Sequence, residues 1–93
     1  MASADDQAFL DRISEVIDLC NRQAEAAPAD QVSLSTLYAA ARYCAWRCRY
    51  ANATGQQMTG RRDEAMKVFG DQFQRMFADA YDEIAAEFTA EAR

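Results

Sequence analysis

Cys20, Cys44 and Cys48 are the residues of this chain that come nearest to a chemical toolkit. Cys44 and Cys48 stand four residues apart, so on a helix both side chains leave from one face. With Cys20 supplied by a neighbouring helix, three thiolates would form a ligand set for zinc or copper(I), or a redox centre. The spacing lacks the tight loop pattern of structural zinc sites, and cysteines distributed along an apolar stripe usually serve as small hydrophobes. The favoured reading is therefore reduced core thiols with no metal and no cofactor, and the thiolate metal or redox site is an alternative.

Two acid pairs, Asp79 with Glu83 and Glu87 with Glu91, also fall four apart. Paired carboxylates do general acid and base work, or hold a divalent cation, only where a desolvated pocket separates their affinities for protons. These lie on the polar side of an amphipathic segment, which reads as a solvated face. Histidine is absent altogether, which removes the commonest proton carrier near neutral pH and the commonest nitrogen ligand. No serine or cysteine has a base in sequence to activate it, and no glycine-rich phosphate loop or dinucleotide fingerprint occurs. The expectation is a protein with no catalytic residues and no small-molecule ligand.

Arg42, Arg47, Arg49, Arg61 and Arg62 are interleaved with Tyr43, Trp46 and Tyr50, a vocabulary suited to stacking and phosphate contact. The charge map weakens that reading. Residues 1–30 hold seven acids and two arginines, residues 31–62 five arginines and no acid, and residues 63–93 eight acids and three bases. Acidic flanks repel a polyanion, and a sequence pI near 4.5 is the reverse of a nucleic-acid binder's. Antiparallel helices would instead set Arg47 and Arg49 near Asp11 and Glu15 on one side and Asp63 and Glu64 on the other.

The elements that must position these groups are helical. Phe9, Ile13, Val16, Ile17, Cys20, Ala24 and Ala27 recur at i, i+4, i+7 spacing and define a first helix over about 5–27, capped by Asp5 or Asp6. Pro28 ends it, since proline restrains the residue before it and has no amide donor. A second helix is expected over 34–52, with Ser33 as its cap and Val32 stapled to Leu37. On it Leu34, Leu37, Tyr38, Ala41, Cys44, Ala45 and Cys48 share one arc of about 120°, while Tyr43, Trp46 and Tyr50 gather on the other side. Gly55 and Gly60 bracket a polar stretch expected to be a mobile loop. The third and longest helix, over 61–90, places Met66, Phe69, Phe73, Phe77, Ala80, Tyr81, Ile84 and Phe88 on one face, with Gly70 among them.

Ninety-three residues, 51% hydrophobic and 27% charged, fit a single domain spanning 1–93. The reading is an all-α, three-helix up-down-up bundle with a long C-terminal helix. The longest apolar run, Leu37 to Ala41, is far short of the ~20 residues that cross a bilayer. The opening Met-Ala-Ser-Ala-Asp-Asp is acidic where a secretory signal is basic and then apolar, which points to the cytoplasm.

One helix with two apolar sides needs a second cover, supplied either by the long third helix of the same chain or by a partner molecule. The ridge of Tyr43, Trp46, Arg47 and Tyr50, together with Phe88 near the end of the long helix, is the candidate surface for a homodimer or another protein partner.

Val32-Ser33 followed by Leu37-Tyr38-Ala39-Ala40-Ala41-Arg42-Tyr43, between an acidic-led amphipathic helix and an aromatic-rich one, resembles a family of small bacterial proteins known only as a domain of unknown function, found mainly in proteobacteria. The likeness covers nearly the whole chain. It implies a helical fold and carries no activity, cofactor or site residue with it.

Overall fold

The computed structural model describes residues 3–91, which form helices and no strand. The order is α1 (Ala4–Gln23), α2 (Ala29–Tyr50), α3 (Gly55–Gly60) and α4 (Arg62–Glu91). The chain is all-α, as the periodicity required, but the described residues form four helices where three were expected. It divides into two compact units, Met1–Cys48 and Arg49–Arg93.

In the first unit, α1 begins with a capping box one turn ahead of the acids expected to cap it. Ser3 Oγ accepts from the Asp6 amide at 3.1 Å, and Asp6 Oδ2 accepts from the Ser3 amide at 3.3 Å, so two amides that lack helical partners are satisfied reciprocally. Asp5 and Asp6 in the first turn and Arg22 in the last complement the helix dipole. The helix stops at Gln23 rather than Ala27. Glu25 and Ala26 donate to carbonyls three residues back, Arg22 and Gln23, a tightening that ends the helix before the restriction imposed by Pro28.

Helix α2 starts at Ala29, five residues earlier than the Ser33 cap predicts. The Pro28 carbonyl accepts from the amides of Gln31 and Val32 at 3.0 and 3.1 Å, and Asp30 Oδ1 accepts from the Gln31 amide at 3.0 Å. Proline at a helix start forfeits no bond, so the helix extends back to it, and Ser33 and Val32 become interior positions with no staple. Where α1 gives way to α2 lies Val32, 6% exposed and the one buried residue among those described. The hydroxyl of Thr36 donates to the Val32 carbonyl at 2.7 Å and lies 3.2 Å from Cys20 Sγ. A hydroxyl has one proton, and here it is committed to the carbonyl, so the Cys20 thiol is the donor in the link between the two helices.

The second unit contains the surprise. The stretch expected as a mobile loop is α3, and neither Gly55 nor Gly60 has a positive φ. Thr54 caps it, its hydroxyl accepting from the Gln57 amide at 3.0 Å, while Gln57 Oε1 accepts from the Ala53 amide at 2.7 Å. Arg61 closes the far end by donating its amide to the Gln57 and Met58 carbonyls and its guanidinium to Asn52 Oδ1 at 3.4 Å. Replacing the cap, Thr54→Ala, is expected to cost about 1 kcal/mol and to be seen as faster amide exchange confined to residues 55–60.

Helix α4 spans 30 residues, roughly 45 Å, with ends one residue from those the periodicity predicts. Local pairs decorate its polar side: Lys67 Nζ lies 3.1 Å from Asp71 Oδ2, and Arg62 Nη1 3.5 Å from Asp63 Oδ1. Both are exposed and contribute little.

Candidate interaction surface

Periodicity places Tyr43, Trp46 and Tyr50 on one side of α2 at i, i+3, i+7 spacing. All three are well exposed, at 68%, 51% and 66%, and Arg47 is exposed beside them. Phe88, at 72% the most exposed large hydrophobic residue described, stands near the end of α4. Tyr43, Trp46 and Arg47 belong to the first unit, and Tyr50 and Phe88 to the second.

The faces assigned to a core are a different matter. Phe9, Ile13, Val16 and Ile17 on α1, and Leu34, Leu37 and Tyr38 on α2, are exposed rather than enclosed. Leu34 and Tyr38 line a shallow, open apolar depression with Gln31, Ser35 and Ala39. On α4 the whole stripe from Met66 to Phe88 is exposed, with Phe69 the least so at 38%. Within it the rings of Phe73 and Phe77 stack at 5.9 Å between centroids, and those of Phe77 and Tyr81 lie at 5.8 Å. An aromatic ladder thus runs along one helix with its rings exposed. The sequence reading missed this ladder as a functional surface because it was spent on a core.

Gly70 sharpens the point. It sits inside the stripe and mid-helix, where glycine costs about 1 kcal/mol relative to alanine, and beyond its neighbours and its own helix backbone a Cβ built there would meet no atom of the described residues within 4 Å. The close contact that such a glycine normally serves is not made within this chain.

The residues that suggested chemistry are dispersed. Cys20, Cys44 and Cys48 are half-buried, and among the described residues no three of Cys, Asp, Glu or His converge to hold a metal ion. Asp79, Glu83, Glu87 and Glu91 are exposed along α4. No helix among the described residues is long and apolar enough to cross a membrane.

These features define an all-α protein of long amphipathic helices whose apolar stripes lie at the surface. The chain belongs to the family described as Protein of unknown function (DUF3144), whose model matches residues 9–85. No curated protein and no solved structure matches the chain.

Proposed function

We propose that this protein is a small, non-enzymatic helical interaction module of the cytoplasm that associates with copies of itself. One observation carries the reading: long amphipathic helices expose their apolar stripes, and Val32 alone among the described residues is buried. Contiguous apolar surface of this extent marks an association site in a soluble protein, and the bundle expected from three amphipathic helices is then completed between chains. Sedimentation equilibrium tests it. A mass of at least twice 10.4 kDa at micromolar concentration supports the reading, and a monomer at millimolar concentration overturns it.

A second reading, an adaptor that docks a larger protein, is favoured by the exposed tyrosine and tryptophan of α2, residue types that dominate binding energy at interface centres. Trp46→Ala is expected to weaken capture of such a partner at least tenfold while leaving the far-ultraviolet circular dichroism unchanged. Equal recovery with both proteins removes the ridge from consideration.

A further inference from the structure

We propose that α4 is the seam of self-association and that it pairs antiparallel with α4 of a second copy, about a two-fold axis passing Phe77. This rests on the reading that the chain self-associates and adds which surface, which orientation and which register.

The stripe repeats every eleven residues. Met66, Phe77 and Phe88 form one series, and Phe69 with Ala80, Gly70 with Tyr81, and Phe73 with Ile84 form the others. An eleven-residue period is 3.67 residues per turn, so the apolar face runs nearly straight along the helix with a slight right-handed drift. Its midpoint is Phe77. Rotation about that residue brings Met66 to the level of Phe88 of the second copy, Phe73 to that of Tyr81 and Gly70 to that of Ile84, so that at the last of these levels a large side chain meets a glycine. The missing Cβ of Gly70, which no atom of its own chain exploits, receives Ile84 of the other chain.

Charge selects the direction. Residues 76–91 carry Asp79, Asp82, Glu83, Glu87 and Glu91 and no base, while residues 62–75 balance Arg62, Lys67 and Arg75 against three acids. A parallel pair would lay the two acidic halves side by side, with Glu87 and Glu91 nearest the seam, and like charges in contact are destabilising. The last turn of α4 also lacks a cation, so Glu87 and Glu91 oppose its dipole. An antiparallel neighbour instead lays the charge-balanced half of its own α4 beside those acids, with its Lys67 level with Glu87. The area is sufficient: five half-exposed aromatic rings with Met66 and Ile84 offer roughly 700 Å² per copy, about 1,400 Å² in all, within the range of stable interfaces.

The deciding experiment uses the unmodified chain, as an equal mixture of ¹³C-methyl-methionine-labelled and unlabelled protein, in an isotope-filtered nuclear Overhauser measurement. Met66 and Phe88 are ~33 Å apart along one helix, so a cross-peak between the Met66 methyl and the Phe88 ring arises only between copies. That peak is the expected result. A dimer by sedimentation that lacks it, or in which Met66 sees Met66 and Phe69 of the other chain, overturns the antiparallel seam and leaves self-association standing. A monomer by sedimentation removes both. Independently, Gly70→Leu is expected to raise the helix content of the diluted chain and to weaken dimerisation at least tenfold. A purely local effect on helix stability would leave the dimer as strong or stronger, which contradicts the proposal.

Discussion

Phe77→Glu is expected to raise the dimer dissociation constant by a factor on the order of 10³, measured by sedimentation equilibrium or by dilution calorimetry. The two-fold axis makes each substitution count twice. Losing one buried aromatic anchor at an interface centre costs about 2 kcal/mol or more, so two together approach 4 kcal/mol, and every 1.4 kcal/mol is tenfold. Two carboxylates brought together at the axis add to the loss. Ala78→Glu is the control, since it adds the same charge one residue further on, on the polar side of α4. It is expected to change the dissociation constant by less than about threefold. Equal loss with both variants would trace the effect to net charge rather than to the seam.

The largest effect within a single chain is expected at Val32. Val32→Asp places a carboxylate at the only described position that is buried, where the nearby Thr36 hydroxyl has already given its proton to a carbonyl. An uncompensated charge there is expected to destabilise the first unit by roughly 3 kcal/mol or more. Urea titration, with amide exchange through residues 20–36 rising well above wild type, is the measurement. Leu34→Asp, at a site 69% exposed, is expected to change the stability of the dilute chain by less than about 0.5 kcal/mol. Helix α4 should keep its amide protection in both, since Val32 and Leu34 lie in the other unit.

Much of the fold was legible because its strongest signals are periodic. Apolar residues repeating over 30 positions placed α4 to within a residue at each end, and Pro28 marked the break between α1 and α2. The start of α2 was misplaced because Ser33 is a favourable cap in isolation, while a proline start with Asp30 in the first turn begins the helix five residues earlier, with the Gln31 and Val32 amides bonded to the Pro28 carbonyl. Helix α3 escaped notice because six residues are too few to show a period and its two glycines argue for a turn. The Thr54-Gly-Gln-Gln57 pattern, a threonine followed three residues later by glutamine, was the signal that could have found it.

The candidate surface was half legible. Tyr43, Trp46 and Tyr50 were read as a second apolar side to be covered by the long helix or by a partner, and they are exposed. The stripe of α4 was assigned to the inside, because periodicity identifies which side of a helix is apolar and is silent on what lies against it. The eleven-residue recurrence of Met66, Phe77 and Phe88, and Gly70 within the same stripe, are the sequence features on which the proposed seam rests.

A polypeptide that buries Val32 alone among its described residues would, if it completes its core by the proposed association, tie its survival to its abundance. When association supplies most of the burial, diluting the protein and unfolding it become linked events, and resistance to proteolysis rises with the number of copies in the same volume. A cell would then hold this protein in quantity or hardly at all, with the threshold set by the affinity of one helix for its twin.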